Sequence, residues 1–501
     1  MRDVFLTLAA ALSVAAAFAE ESQPFAIEIV DEQTGRGVPL VELKTTSGLR
    51  FYSDSAGLVA VREPELLGRK VYFHVRSHGY EYPRDGFGNR GLALQVESGG
   101  SAVVKIKRQN IAERLYRVTG SGIYADSLLV GRKPPLAQPL VAAEVVGSDS
   151  VVTAVYRGKL YWFWGDTNRF RYPLGLFDAS GAVSKLPADG GLAPSVGVNL
   201  DYFTGDEGFA KKMAPLPGDG PTWLFGMFTL PDETGRERLF TGYEKVRGLS
   251  VYQRGLARFD DERAEFVSLK TYDKSIPLYW HGHPFLYRDN NTEYFYFGDP
   301  YPVMRVRATI DAIGDPSRFE GFTCLTPGTR DGGSVERDAN GKPVWGWKRD
   351  TAAISHDLQR DLMKAGKLTR EEAWLQFANV DDGKPVIAHR GSVTWNDRLK
   401  KFVLIATEIG GTSMLGEVWF ATADKPEGPW QKAKKIVTHE KYSFYNPKQH
   451  PYFAEDGGRT LYFEGTYTHT FSGNDDQTPR YDYNQVMYRL DVDDPRLEAV
   501  R

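Results

Sequence analysis

Residues Ser148 to Thr167 read SDSVVTAVYRGKLYWFWGDT. An apolar run, Val151 to Tyr156, meets an Arg-Gly turn and returns as Lys159 to Trp164, dense in aromatic residues, before stopping at Gly165 and Asp166. Two β-branched and aromatic segments around a glycine turn predict a β-hairpin. The same order recurs in GHPFLYRDNNTEYFYFGDP (282–300), GSVTWNDRLKKFVLIATE (391–408) and HPYFAEDGGRTLYFEGT (450–466), with a weaker copy in PTWLFGMFTLPDETGRERLFTGYEK (221–245). A third strand follows in each neighbourhood, as in LSVYQRGLARF, EVWFATA or QVMYRLDV, and enough chain remains for a fourth. Five four-stranded units spaced at roughly 40 to 70 residues favour a five-bladed β-propeller over a sandwich or a solenoid.

Working outward from these units, residues 141–501 form the expected propeller. Upstream, FAIEIVD, GRGVPLVELKT, RFYSD, GLVAVRE, RKVYFHVRS and SAVVKIKR alternate with turn residues, which predicts a small β-sandwich over 24–109. The stretch 110–140, with GRKPPLAQP, is rich in proline and poor in alternation and reads as a linker. The expected fold class is therefore all-β, a five-bladed β-propeller preceded by a small β-sandwich domain. A helical pattern stands out at Thr369 to Phe377, TREEAWLQF, inside a long insertion between the third and fourth units, where it is expected to decorate the binding face. The first 19 residues pair a charged start with an apolar run and the triplet Ala17-Phe18-Ala19, the pattern of a secretory signal peptide. That predicts a secreted or periplasmic protein, and no later stretch is apolar for long enough to span a bilayer.

Lys and Arg total 62 against 65 Asp and Glu, a net charge of −3 that gives no electrostatic case for nucleic acid or an anionic membrane. Cys324 is the one cysteine, so neither an intrachain disulfide nor a thiolate metal cluster can form. Stability must come from packing.

In a propeller the inner strand of each blade starts on one face, and its antiparallel neighbour returns there. Asp149, His283, Arg390 and His450 are read as opening inner strands, and Asp166, Asp299, Glu408 and Glu464 as closing second strands. An acid at the end of a strand often serves only to accept backbone N–H bonds. Asp149 precedes its strand and points toward the axis, where there is no turn to close. It lies 17 positions before Asp166 (166 − 149), across the mouth of one hairpin. Neighbouring carboxyls push their pKa values apart, so one can remain a proton donor while the other is a base or nucleophile, as glycoside hydrolysis requires. His283, His389 and His450, the last beside Gln449, have two readings: divalent-metal ligands, or donors to loop carbonyls and a sugar. The same cluster also suits a polysaccharide lyase, with Arg390 neutralising a uronate and His283 or a tyrosine moving the proton. Trp164, Trp280, Tyr445 and Tyr467, with Asn446 nearby, flank the same strand ends and are candidates for contact with sugar faces.

Two resemblances add to this. IEIVDEQTGRGVPLVEL followed by YSDSAGLVAV resembles the carboxypeptidase-regulatory-like, transthyretin-like accessory modules of secreted bacterial proteins, which implies a spacer or docking domain without catalysis. SDSVVTAVYRGKLYWFWGDT resembles the opening blade of five-bladed family 43 arabinanases and xylosidases, whose general base is an Asp in the place of Asp149, and EVWFATADKPEGPWQ is similar to an outer-blade segment of that superfamily. The terminal Gly-Asp-Thr brings the first blade closer to the endo-D-arabinanase family, which implicates both Asp149 and Asp166. Where family 43 enzymes place an Asp and a Glu at later inner strands, this chain has His281 and His283, Arg390, and Asn446 to His450. Glu408, beside GGTS, and Glu464, in YFEGTYT, are the substitutes for the general acid. A single axial histidine near a bound cation also belongs to arabinanase-like propellers, which nominates His450 for calcium near the axis.

The sequence thus points to a secreted glycoside hydrolase acting on a polysaccharide or oligosaccharide through a carboxylate pair, with no required cofactor. A His/Arg lyase or metal-assisted carbohydrate enzyme and a non-catalytic carbohydrate-binding propeller are the alternatives, since fold alone does not assign function.

Overall fold

The computed structural model describes residues 23–501; the expected signal peptide at 1–19 lies outside the described residues. Two four-stranded sheets make the N-terminal sandwich. One contains Leu58–Val61, Phe25–Asp31, Ser101–Arg108 and Tyr80–Glu81, the other Arg50–Tyr52, Glu42–Thr45, Arg69–Arg76 and Gly91–Val96. Alternate residues turn inward, so Ile27, Ile29, Leu43, Phe73 and Val104 share one core.

Six further sheets follow: a three-stranded one of Val145–Ser148, Thr167–Arg169 and Tyr172–Leu176, and five that are set around an axis as blades. The inner and second strands are Val151–Tyr156 and Lys159–Trp164 in blade one, Thr222–Pro231 and Glu237–Arg247 in blade two, and Phe285–Asp289 and Thr292–Phe297 in blade three. Blade four begins with Ala388–Asn396 and Lys401–Glu408, and blade five with Ser443–Gln449 and Thr460–Thr468. The inner strands of blades one and two, four and five, and five and one touch directly. Between blades, apolar side chains interlock, as where Phe285 of blade three meets Phe402 of blade four or Phe228 of blade two meets Phe295 of blade three.

Blade five is completed from the far end of the chain. Its order is Ser443–Gln449, Thr460–Thr468, Asn484–Asp491 and then Glu113–Arg117, so the segment expected to be a linker supplies the strand that closes the ring. Its sequence, ERLYR, hides this because all five residues are buried and three carry charge. Each charged side chain has at least one hydrogen-bond partner, with Arg117 Nε and Nη2 left without one. Glu113 accepts from Arg489 at 2.6 Å, Arg114 donates to the Pro39 and His78 carbonyls of the sandwich at 3.0 and 3.1 Å, and Arg117 donates to the Arg480 carbonyl. Buried ions paired in this way leave no hydrophobic alternation to read.

The insertion also differs from expectation. Thr369 to Phe377 is not helical; the helix of this region is His356–Lys364, capped by the Ser355 side chain. Thr369 and Glu372 do form a capping box. The turn stops there because Trp374 donates to the Glu427 carbonyl and Leu375 exchanges hydrogen bonds with the Gln359 side chain, which draws both into the core beside blade four.

Candidate active site

All five blades line a cavity of about 680 Å³ on the face where the inner strands begin. Blade one sets its chemistry. The Asp149 N–H donates to the Asp166 carbonyl at 2.9 Å and the Gly165 N–H to the Ser150 carbonyl at 3.0 Å, so the hairpin mouth holds the two aspartates side by side. A Cβ at Gly165 would sit 3.2 Å from that of Asp149 and press on the aspartate. Asp149 accepts from the Ser150 hydroxyl at 2.8 Å and from the Tyr483 hydroxyl at 3.1 Å. Asp166 is in a different state: burial first, then the charges of Asp149 and Asp178, push its carboxyl up to about 7 against a hydrogen bond from Trp223. Its Oδ1 is buried without a partner.

Opposite stands a second group. Glu244 lies toward the end of the second strand of blade two, 3.7 Å from Arg254 and 3.8 Å from His281. Burial raises its pKa while Arg254 and Arg390 oppose the rise. Arg390 lies 3.5 Å from Asp299, whose carboxyl is likewise raised by burial against the pull of that guanidinium. His281 and His389 are pushed down to about 4 and His283 well below the usual imidazole range, in each case by burial first and nearby cations second. All three are neutral at neutral pH. His389 Nδ1 and Asn446 Oδ1, like Asp166 Oδ1, are buried polar atoms without partners. Such atoms are costly unless something hydrogen-bonds to them, and His389, Asn446 and Asp166 all line this cavity. With Trp223 and Tyr445 in the wall, the site offers donors, acceptors and ring faces suited to a polyol.

The cavity therefore brings together Asp149, Asp166, His283, Asp299, Arg390 and Asn446 of the residues expected from sequence, while Trp164 borders it with its ring buried and stacked between Trp162 and Tyr202, not open to a sugar. Glu244 was not expected from sequence, although it stands opposite the start of its inner strand, paired with Trp223, much as Asp166 stands opposite Asp149. The weak second copy obscured it because a bulge between Phe225 and Phe228 interrupts the alternation.

Five expected residues lie elsewhere. Trp280 is fully buried between blades two and three, stacked on Tyr279 and Phe297 and pressed against Gly242, where a Cβ would come within 2.1 Å of its indole nitrogen. Tyr467 is buried at the junction with the sandwich, bonded to His78 at 3.0 Å and stacked on Tyr442. Glu408 does close its strand, yet its carboxylate turns to accept from the Trp419 indole at 2.8 Å. Glu464 and His450 are displaced for a shared reason. The fifth inner strand starts at Ser443 and ends at Gln449, seven residues earlier than HPYFAEDGGRTLYFEGT suggests, and Pro451–Phe453 is a single 3-10 turn. Pro447 and a bulge between Tyr445 and Lys448, with Asn446 at φ 53°, disguise that strand. His450 consequently sits at the opposite end from the cavity mouth, and Glu464 lies inside its strand.

Calcium does not fit at His450. Its Nε2 is bonded to Glu464 and its Nδ1 to the Tyr452 hydroxyl, both at 2.8 Å, so neither nitrogen is free to ligate, and the Lys448 ammonium acts on the ring as a neighbouring positive charge. Among the described residues no group of three or more His, Cys, Asp or Glu is arranged to hold a metal ion.

No protein-family model and no curated protein matches the chain. Among solved structures it is similar to an exo-β-1,3-galactanase from Phanerochaete chrysosporium with galactose, at 10% identity and a TM-score of 0.36, over 76% of this chain and 65% of that one. The chain thus spans just under two thirds of the galactanase. A thermostable family-43 glycoside hydrolase (12%, TM-score 0.31, 68% and 88% covered) and a GH43 enzyme from Xanthomonas citri (12%, 0.33, 70% and 88%) are further examples. At these identities and scores the likeness assigns neither family nor chemistry.

Proposed function

We propose that this chain is a glycoside hydrolase of polysaccharides or oligosaccharides in which Asp166 is the general acid and Asp149 the base or nucleophile. One observation carries the reading: two carboxyls at one hairpin mouth, of which Asp166 is held up to about 7 by burial and by its neighbour. A carboxyl with that pKa is half protonated at neutral pH and can donate to a departing glycosidic oxygen. Asp149, an acceptor of the Ser150 and Tyr483 hydroxyls, takes the complementary role at the anomeric carbon or at the water that attacks it. Glu244, Arg390 and Asp299 hold sugar hydroxyls across the cavity, and no cofactor takes part.

The geometry favours hydrolysis over uronate elimination. Arg390 is the guanidinium a lyase would need to neutralise a uronate, and its charge is already engaged by Asp299. We also propose that the protein works outside the cytoplasm, a reading supported by the signal-peptide pattern of residues 1–19.

The test is incubation of wild type and Asp149→Asn with arabinans, galactans, xylans and uronate-containing polysaccharides, following reducing ends and ultraviolet absorbance together. Reducing ends without absorbance, lost in the variant, are expected. Absorbance would establish a lyase instead, and binding without cleavage a lectin-like propeller.

A further inference from the structure

The Asp149 carboxylate is held from outside its own blade. Tyr483 donates to its Oδ2 at 3.1 Å, and Tyr445 hydrogen-bonds to the same carboxylate. Burial first and the Asp149 charge second push both phenols far above their ordinary range, so each stays a donor at any working pH. The main chain is fixed from the same side: Gln485 Nε2 donates to the Asp149 carbonyl at 2.7 Å, and the Ser148 N–H to the Tyr483 carbonyl at 2.8 Å.

Tyr483 belongs to a turn in which two residues with side chains, Arg480 at φ 64° and Tyr483 at φ 60°, adopt the left-handed backbone. Such a conformation persists where contacts on both sides impose it. On one side is Asp149. On the other is the sandwich, into which Tyr481 points its hydroxyl to donate to the Ser53 carbonyl and accept from the Leu40 N–H at 3.1 Å. The Arg117 guanidinium covers the Tyr481 ring at 4.5 Å, and Arg480 pairs with Asp126 at 2.8 Å.

We propose that Tyr483 is a positioning residue whose hydroxyl aims the Asp149 carboxylate, and that the sandwich shares in that aim by anchoring the turn through Tyr481. The proposal rests on the hydrolase reading above. It gives the N-terminal domain a part in turnover without bringing it to the cavity.

Wild type, Asp149→Asn, Tyr483→Phe and Tyr481→Phe are compared on a polymer that the wild type cleaves, with melting temperature measured alongside. Tyr483→Phe retains the ring, so its kcat is expected to fall about 10- to 100-fold with KM within about threefold and melting nearly unchanged. Tyr481→Phe is expected to lower kcat by about threefold to tenfold, again at constant KM. Should Tyr481→Phe fail to fold, Asp126→Asn, which cuts the Arg480 pair, takes its place with the same expectation. Full kcat in Tyr483→Phe, or a change confined to KM, would overturn the positioning role. Full kcat in Tyr481→Phe would remove the sandwich from it. An inert wild type, or a fully active Asp149→Asn, would sink the hydrolase reading and this one with it, whereas an active wild type, a dead Asp149→Asn and an unimpaired Tyr483→Phe would sink this one alone.

Discussion

Two acid pairs occupy the same ring. Asp149 and Asp166 stand at the mouth of blade one, and His450 and Glu464 stand in blade five, away from that mouth. Both contain a carboxyl raised into the neutral range, Asp166 to about 7 and Glu464 to about 8, and in both burial is the first cause. What separates them is access. The first pair lines an open cavity of about 680 Å³, while Glu464 and His450 are buried and hydrogen-bonded to each other. A perturbed carboxyl marks a functional site only where a substrate can reach it.

The largest effect that can break this comparison is on turnover. Asp149→Asn is expected to reduce kcat by about 10³-fold or more, roughly 4 kcal/mol, with little change in melting. Glu464→Gln should leave kcat within about threefold of wild type. Equal losses in the two variants would erase the distinction.

Next in size is a stability effect confined to the buried pair. His450→Ala strips the Glu464 carboxyl of its partner and is expected to cost about 2–3 kcal/mol in denaturant unfolding, with kcat of the folded enzyme retained. A neutral substitution there would mean that solvent reaches the pair.

The smallest effect is the pH dependence of stability. Folded Asp166 titrates near 7 and an unfolded Asp near 4, so the folded protein keeps its proton longer. The associated stability is fully present below about pH 4 and is lost as pH rises from there through about 7. Between pH 6 and 8 wild type should lose about 1.4 kcal/mol more than Asp166→Asn in unfolding titrations. Parallel curves for the two proteins would contradict the raised carboxyl.

The two pairs also mark how far the sequence could be read. Blades one, three and four follow strand, turn and aromatic strand with little interruption, so the hairpin mouth with Asp149 and Asp166 and the positions of Asp299 and Arg390 were legible. Blade five was recognisable as a unit while its register was not, because Pro447 and the bulge at Asn446 hide an inner strand whose residues follow no alternation. One misplaced strand carried His450, Glu464 and Tyr467 into the expected site together. Glu244 was lost to the opposite error, a bulged inner strand that weakened the second copy. Trp280 teaches a third lesson: a tryptophan among histidines and glycines looks like a sugar platform, yet Gly242 is bare so that the ring can pack there. Only pairing across blades decides such cases, and that information is not local.

Closure by Glu113–Arg117 has a consequence for biogenesis. The ring is fastened by a contact such as Glu113 with Arg489, 376 positions apart. During synthesis the closing strand is made early and waits, unpaired and rich in ions that need partners, while the blades accumulate. Contacts of such long sequence separation form late and slowly. The sandwich, translated ahead of the blades, supplies the Pro39, Ser77 and His78 groups that accept from Arg114, so the closing strand has partners near it in sequence as well as at the far end of the chain.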